Sequence, residues 1–391
     1  MTFRFDTRAV HAGLDPDEPA GAITPPIYLS STYRMAEVDS TRAGYEYARV
    51  GNPTREGLER ALADLEGGYA GMAFSSGVAA ADAVFRALCR PGDHVVVPRT
   101  MYGGTVRLSE GLHSAWGVSV TPVPVRDPEA FRTALRPDTR LVWLESPGNP
   151  LLEVTDIAAV AELAHHSEIP VAVDSTFATP YLMRPLSLGA DVVVHSTTKY
   201  LGGHSDVVGG AVVTSLPDLA DAVRAVQIQA GAVAAPFDSW LVMRGLRTLP
   251  LRMRRHCESA LAVARWLDEH HGVAEVIYPG LADHPDHGLA TGLMRTGGVV
   301  GQGSPAYGGI VSFRVRGGSE AAREVCRRVR LIALGGSLGG VESLLGYPTL
   351  MSHGVLAGTD RELPGDLLRL SVGLEDVDDL LEDLAQALDG T

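Results

Sequence analysis

A single lysine stands out among the residues that could do chemistry. Lys199 lies in the stretch VVVHSTTKYLGGHSD and is the only lysine of the 391 residues, since every other member of the Lys+Arg set is an arginine. An arginine guanidinium stays charged at any working pH, whereas a lysine amine can lose its proton and become a nucleophile. A neutral amine of this kind forms imines with carbonyl compounds or with pyridoxal phosphate. The alternative from composition alone is a surface lysine without a chemical role.

Other polar residues fall where predicted strands end. Four apolar runs read as strands, namely HVVVP (94–98), RLVWLES (140–146), IPVAVDST (169–176) and ADVVVHST (190–197). They lead, in turn, to Tyr102, to Asn149, to Asp174, and to Ser196, Thr198 and Lys199. In an open α/β sheet, ligands bind outside the carboxyl ends of the strands. Each residue also has an ordinary explanation, such as a helix N-cap for Asp174, but their common placement favours a binding site.

These residues match the needs of a pyridoxal phosphate site. That cofactor requires a lysine for the imine and an acid that keeps its pyridine nitrogen protonated, which Lys199 and Asp174 would supply. A phosphate binds well at a helix N-terminus, and FSSGVAAADA places Gly77 at the start of a predicted helix. Ser196 and Thr198 add hydroxyl groups beside the lysine. The sequence therefore predicts a pyridoxal phosphate site around Lys199, and it predicts no metal site.

Alternating strands and helices must position these side chains. Helical patterns are TREGLERALADLEGG, with Leu58, Leu62 and Leu65 on one face, followed by GVAAADAVFRALCRPGD and DIAAVAELAHHSE. Apolar strands separated by helices predict an α/β fold with a mostly parallel sheet. A long helix, TLPLRMRRHCESALAVARWLDEHH, then leads to a strand, GGIVSFRVRGG, and an acidic terminal helix, LEDVDDLLEDLAQALDG. The predicted division is an N-terminal arm (1–55), a large cofactor domain (56–250) and a smaller α+β C-terminal domain (251–391).

Composition restricts the class of protein. The net charge of −14 argues against a nucleic-acid partner. No apolar run approaches the length of a membrane span and the N-terminus lacks the apolar core of a signal peptide, so a cytoplasmic protein is expected. The three cysteines are too few and too far apart for a disulfide framework or a metal cluster.

Two basic segments are interpreted as surface. The arginine run RMRRHCE near Arg252 predicts a solvated helix face, and His284 and His287 in GLADHPDHG predict an exposed loop without metal ligands.

The phosphate-binding motif G-x-x-x-x-G-K-[ST] and the dinucleotide-binding motif G-x-G-x-x-G after a strand are both absent.

The chain resembles the Cys/Met-metabolism family of pyridoxal-phosphate enzymes, which includes cystathionine γ-lyase, cystathionine γ-synthase and methionine γ-lyase. The resemblance rests on ordered segments along nearly the whole chain: VHAGLDPDEPAGAITPPIYLSSTY, YEYARVGNPTR, FSSGVAA, VPRTMYGGT, ESPGNP, AVDSTFATPY, HSTTKYLGGHSD, SLGGVESL and LLRLSVGLED. It implies an aminotransferase-like (fold type I) architecture, with the arm contributing to a neighbouring subunit's site. It also implies a small-molecule amino-acid substrate and a homotetramer built as a dimer of dimers.

The resemblance assigns roles to matching positions. Lys199 would form the imine and move protons, Asp174 would pair with the pyridine nitrogen, and Tyr102 would stack on the ring and act as an acid or base. The phosphate would be held by Gly77, Val78, Ser196 and Thr198, together with Tyr47 and Arg49 from the neighbouring subunit. The substrate α-carboxylate would be bound by Asn149, Ser337 and Arg369, the arginine in a bidentate manner.

Three positions that distinguish family members disagree about the substrate. Enzymes that handle cystathionine typically carry glutamate where this chain has Gly336, and methionine γ-lyases typically carry cysteine where it has Gly104. Glu46 resembles the cystathionine-handling members. The loss of an acid at position 336 removes a partner for a distal ammonium group and favours a neutral or bulky side chain.

These features favour a γ-lyase that cleaves cystathionine or methionine to a thiol, 2-oxobutanoate and ammonia. The alternative within the family is γ-replacement on an O-acyl-homoserine, as in a cystathionine γ-synthase. A remote alternative is a non-catalytic oligomeric binding protein that retains the fold.

Overall fold

A computed structural model describes residues 3–14 and 20–389. The strands are β1 Met35–Glu37, β2 Ser40–Thr41, β3 Ala70–Phe74, β4 His94–Pro98, β5 Ser119–Val123, β6 Thr139–Glu145, β7 Val171–Asp174, β8 Val192–His195, β9 Gly210–Thr214, β10 Val273–Ile277, β11 Ile310–Val315, β12 Ala333–Leu334, β13 Leu344–Gly346 and β14 Leu367–Ser371. The α-helices are α1 Phe5–His11, α2 Pro53–Glu66, α3 Gly77–Leu88, α4 Gly103–Val106, α5 Pro128–Ala134, α6 Ile157–His165, α7 Thr179–Leu182, α8 Pro217–Ala230, α9 Pro236–Leu246, α10 Leu249–Glu269, α11 His287–Leu293, α12 Gly318–Arg328 and α13 Val377–Leu388. A π-helical segment covers Arg107–His113, and 3-10 turns cover Pro185–Leu188 and Gly354–Leu356.

The first large sheet has seven strands in the order β3-β9-β8-β7-β6-β4-β5. Strands β8, β7, β6, β4 and β5 run parallel, and β9 is antiparallel to both of its neighbours. The four predicted strands are confirmed as β4, β6, β7 and β8. Their residues are almost all buried because helices pack on both faces of a parallel sheet.

The helices divide the core into two layers around this sheet. Leu58, Leu62 and Leu65 of α2 lie in one cluster, as the helical spacing predicted. Ala80, Val84 and Phe85 of α3 lie in the other. The predicted large α/β architecture is therefore confirmed.

The second sheet has five strands in the order β10-β11-β14-β13-β12 and is mainly antiparallel. Helices α10, α12 and α13 accompany it, and α13 confirms the predicted acidic terminal helix. The sheet brings β14, and with it Arg369, up to the carboxyl edge of the first sheet. The boundary predicted near residue 250 stays a prediction, although α10 begins at Leu249.

The predicted arm contains little regular structure. Helix α1 packs Phe5 and Ala9 into the core, and β1 and β2 form a small antiparallel pair. Residues 15–19, which belong to the segment VHAGLDPDEPAGAITPPIYLSSTY of the arm, lie outside the described residues, as do residues 1–2 and 390–391.

Two predictions of surface exposure are wrong at Arg252 and at His284, although Arg254 of the same arginine run is exposed. Arg252 is only 5% exposed. Its buried guanidinium donates hydrogen bonds to the carbonyl oxygens of Tyr200 and Gly245, each at 2.7 Å. His284 is 7% exposed because the neighbouring Asp286 binds Arg126 and holds the loop against the large sheet's connections. In both cases tertiary contacts bury residues whose local sequence is typical of a surface.

Candidate active site

A cavity of about 410 Å³ lies at the carboxyl edge of the large sheet. The residues predicted for the site that line it are Gly77, Val78, Tyr102, Asn149, Asp174, Ser196, Thr198, Lys199, Ser337 and Arg369. They come from both sheets and from the N-terminus of α3. The polar residues that follow the parallel strands thus lie around one cavity at this edge of the sheet.

Lys199 is half-buried in the turn that follows β8. Its Nζ donates a hydrogen bond to Ser337 Oγ at 2.6 Å. Burial and, as a smaller contribution, the positive charge of Arg369 together lower the pKa of the amine to about 8. About a tenth of the amine is therefore neutral at pH 7, far more than for an ordinary lysine, and the neutral form is the nucleophile.

Asp174 ends β7 next to this lysine turn. The backbone N–H and the hydroxyl of Thr176 both donate to its Oδ1, at 3.0 and 2.6 Å. Thr176 Oγ1 in turn accepts the backbone N–H of Ser196 at 2.9 Å. Burial raises the pKa of Asp174, so the ionised form needs a positively charged partner. A protonated pyridine nitrogen is a partner of that kind.

The N-terminus of α3 forms an anion-binding cradle. Ser76 caps the helix by accepting the N–H of Ala79 at 3.1 Å. A β-carbon added at Gly77 would lie 2.9 Å from the β-carbon of Ser196, so glycine allows the helix to approach this serine closely. Thr198 Oγ1 is hydrogen-bonded to the backbone of Gly209. Helix N–H groups and a nearby hydroxyl suit a phosphate group.

Arg369 supplies a buried cationic group, here called the carboxylate clamp, whose charge and geometry suit a carboxylate ligand. Its Nη1 donates to Asn149 Oδ1 and its Nη2 to the carbonyl oxygen of Ser337, both at 2.9 Å. The guanidinium is buried, its Nε has no hydrogen-bond partner, and no carboxylate of the described residues forms an ion pair with it. Burial lowers its pKa to about 10. A buried cation without a counter-ion favours binding of an anion such as an amino-acid carboxylate.

Tyr102 stands at the mouth of the cavity and is 37% exposed. Its ring covers Gly104, where an added β-carbon would lie 2.3 Å from the ring atom Cε1. Cysteine at that position therefore requires a different placement of the tyrosine ring.

Tyr47 and Arg49 lie away from the cavity within this chain. Tyr47 is 44% exposed, and Arg49 Nη1 donates to the carbonyl oxygen of Ile228 at 2.8 Å. Their role in a neighbouring subunit stays a prediction.

Four residues of the site were missed by the sequence analysis. Glu145, Thr176 and Arg107 line the cavity, and His353 contacts the backbone of residues in it. Glu145 and Thr176 end or follow strands, so the strand-end rule contained the signal for both. Arg107 follows Tyr102 by five positions, and His353 comes from a distant loop without a local motif.

The fold and the lysine-containing cavity define a fold type I pyridoxal-phosphate enzyme. The chain belongs to the family of Cys/Met metabolism PLP-dependent enzymes, whose pattern it matches over residues 6–389. It is thus a pyridoxal-phosphate-dependent enzyme acting in the chemistry of sulfur amino acids, as the sequence predicted.

Similar proteins include more than one activity within this family. Cystathionine gamma-synthase of Mycobacterium tuberculosis is 53% identical over 98% of this chain and 96% of its own length. Cystathionine gamma-lyase of Bacillus subtilis is 43% identical over 98% of both chains. The crystal structure of metB from Corynebacterium glutamicum is 47% identical, with a TM-score of 0.95 over 100% of this chain and 98% of that one.

In the part of the chain that the structure describes, no helix is long and apolar enough to cross a membrane.

Proposed function

We propose that this enzyme works at the γ-carbon of a four-carbon amino acid, with replacement of the γ-substituent by a thiol as its principal reaction. The observation that most directly supports chemistry on an amino-acid substrate is the double role of Ser337. Its Oγ accepts a hydrogen bond from the amine of Lys199, and its carbonyl oxygen accepts a hydrogen bond from the guanidinium of Arg369. A substrate carboxylate bound by Arg369 would therefore bring its α-carbon close to the lysine.

The roles of the individual side chains follow from this arrangement. Bound pyridoxal phosphate supplies an electron-withdrawing ring that stabilises negative charge on the substrate. Arg369 and Asn149 would orient the α-carboxylate, and the Lys199 amine would remove and return protons at the substrate carbons. Tyr102, at the cavity mouth, would hold a proton near the leaving group. Asp174 would bind the ring nitrogen.

Arg107 favours a substrate with a second acidic group. It lines the cavity from the exposed start of the π-helical segment, and its guanidinium has neither an ion-pair nor a side-chain hydrogen-bond partner among the described residues. An unpaired arginine that lines the same cavity as Arg369 would bind a distal carboxylate. The succinyl ester of homoserine carries such a group, and its displacement by cysteine yields cystathionine and succinate. The 53% identity with a cystathionine gamma-synthase supports the same reaction.

The second candidate is the γ-elimination that the sequence analysis favoured, in which a thioether plus water yields a thiol, 2-oxobutanoate and ammonia. The absence of an acid at Gly336 and the 43% identity with a cystathionine gamma-lyase support it. Both reactions require the same removal of the α-proton and departure of the γ-substituent. They differ in whether a thiol or water completes the reaction.

Three further features belong to the proposal, of which the first rests on the family resemblance and the other two on patterns of the sequence. These are a homotetramer in which Tyr47 and Arg49 complete a neighbouring subunit's phosphate site, a cytoplasmic location, and the division into an arm (1–55), a large domain (56–250) and a C-terminal domain (251–391). The molar mass of the assembly in solution, measured by light scattering, tests the first of them.

The experiment that tests the function offers purified holoenzyme four substrates separately: O-succinyl-homoserine, O-acetyl-homoserine, L-cystathionine and L-methionine. Each ester is assayed with and without cysteine, and both cystathionine and 2-oxobutanoate are measured. Cystathionine formation that grows with added cysteine, at the expense of ketoacid, supports γ-replacement. Ketoacid from a thioether alone establishes the lyase. An inert protein without a visible cofactor absorption band would support the non-catalytic alternative.

A further inference from the structure

Glu145, at the end of β6, holds two residues of the site through their backbones. Its Oε2 accepts the N–H of Tyr102 at 2.8 Å, and its Oε1 accepts the N–H of Asn149 at 2.6 Å. The side chain is 5% exposed, and burial raises the pKa of its carboxyl group while the two N–H groups act in the opposite direction. Each carboxylate oxygen is thus committed to one peptide group.

His353 binds backbone carbonyl groups in the same two segments, at Met101, next to Tyr102, and at Asn149. Its Nε2 lies 3.1 Å from the carbonyl oxygen of Met101 and 3.0 Å from that of Asn149. Since both partners are acceptors, Nε2 carries the proton and Nδ1 accepts the hydroxyl of Ser352 at 2.7 Å. Burial lowers the pKa of the ring to about 4, so the ring is neutral in the working range of most enzymes.

The two side chains therefore bracket the same two backbone segments, Met101–Tyr102 and Asn149, through four different backbone groups. The carbonyl of Met101 and the N–H of Tyr102 belong to a single trans peptide and point in opposite directions, so Glu145 and His353 bind it from opposite sides. The same two side chains bind Asn149, Glu145 through its N–H and His353 through its carbonyl oxygen. Its side chain then binds Arg369. Tyr102 and the carboxylate clamp are fixed relative to each other by this bracket.

We infer that Glu145 and His353 are positioning residues for the reaction, acting through Tyr102 and Asn149. This inference rests on the proposed function, because it assigns Tyr102 to the leaving group and Asn149 to the substrate carboxylate. His353 follows β13 in the chain, so the bracket also ties the smaller sheet's connections to the large sheet at the cavity. Several buried hydrogen bonds that fix the backbone of one loop hold the residues of a site in place before the substrate binds.

The variants His353→Gln, His353→Leu and Glu145→Gln test the inference in the holoenzyme. Glutamine at position 353 keeps an N–H donor for the carbonyl groups, whereas leucine removes it. Glutamine at position 145 replaces one acceptor oxygen by an amide that cannot accept the N–H facing it. The matched control is His94→Leu, because His94 is buried with both ring nitrogens bonded to threonine hydroxyls at 2.8 Å, at the opposite end of β4.

Two readouts separate positioning from folding. The first readout is turnover of the substrate that the wild-type enzyme prefers. The second is the Kd of glycine, measured through the change that glycine causes in the cofactor absorption band. His353→Leu and Glu145→Gln should raise the glycine Kd and lower kcat/KM about tenfold or more, and His353→Gln should recover part of both losses. His94→Leu should lower the melting temperature and leave both values near wild type.

Unchanged glycine binding and turnover in folded His353→Leu and Glu145→Gln would overturn the inference, as would losses that merely follow melting temperature across all variants. The glycine readout requires only an α-carboxylate and an amine. If no sulfur or ester substrate reacts with the wild type but glycine binding still weakens in the variants, the proposed function fails and the bracket stands.

Discussion

The amine of Lys199 and the side chain of Ser337 are joined by a 2.6 Å hydrogen bond across the two sheets of the protein. Ser337 also accepts Arg369 through its carbonyl oxygen, so a single residue connects the nucleophile to the carboxylate clamp. This connection determines where a substrate's α-carbon would lie.

Lys199→Arg should lower turnover by at least about 10³-fold, because the guanidinium cannot become a neutral nucleophile or proton carrier. The fold should persist, since position 199 is half-buried and hydrogen-bonded to one hydroxyl group. Steady-state assays with the preferred substrate and a melting curve check both statements. Appreciable turnover by the variant would refute a catalytic lysine.

Attachment of the cofactor to the lysine should depend on pH through the amine. With the pKa of Lys199 lowered to about 8 by burial and by Arg369, the rate at which cofactor-depleted protein takes up pyridoxal phosphate should rise with pH through a midpoint near 8. The protonated amine is disfavoured by the positive charge of Arg369, so Arg369→Leu should raise the pKa and move the midpoint to higher pH. Arg369→Lys retains the charge and should leave the midpoint in place. Equal midpoints in the leucine and lysine variants would contradict this electrostatic coupling.

Arg107→Ala should separate two homoserine esters. Loss of the guanidinium should raise KM for the succinyl ester about tenfold, since a charged hydrogen bond is lost, and should leave KM for the acetyl ester nearly unchanged. Arg140→Ala is a suitable control, because Arg140 is exposed at the opposite end of the large sheet, next to Asp93. An equal effect on both esters would remove the proposed distal-carboxylate contact.

Gly336→Glu should favour cystathionine as a substrate. A β-carbon at position 336 meets no atom within 4 Å, so the longer side chain fits at the edge of the cavity. Its carboxylate would bind the distal ammonium of cystathionine and raise kcat/KM for cystathionine relative to methionine by about tenfold. Gly336→Gln adds similar volume without charge and should give a smaller change. The measurement is the ratio of kcat/KM for cystathionine to kcat/KM for methionine in the wild type, Gly336→Glu and Gly336→Gln. Equal ratios in the two variants would contradict a charge effect.

The sequence predicted the large sheet and most of the site because both depend on local patterns. Apolar runs of four or five residues ending in polar side chains identified β4, β6, β7 and β8, and with them Asp174 and Lys199. Ser337 and Arg369 came from the family resemblance, since nothing in their local sequence marks a site. His353 and the buried state of Arg252 depend on contacts between segments far apart in the chain, which no local period records. Burial of His284 has the same origin.

The most direct test of the central claim is to treat the holoenzyme with borohydride and then map its peptides by mass spectrometry. Reduction fixes the cofactor to the amine that holds it, and Lys199 is the only lysine in the sequence. We predict a single stable phosphopyridoxyl adduct on the peptide that contains Lys199, together with loss of the cofactor's visible absorption and of activity. An adduct on another residue, or an unmodified Lys199 in protein that has lost its visible band, would contradict the assignment.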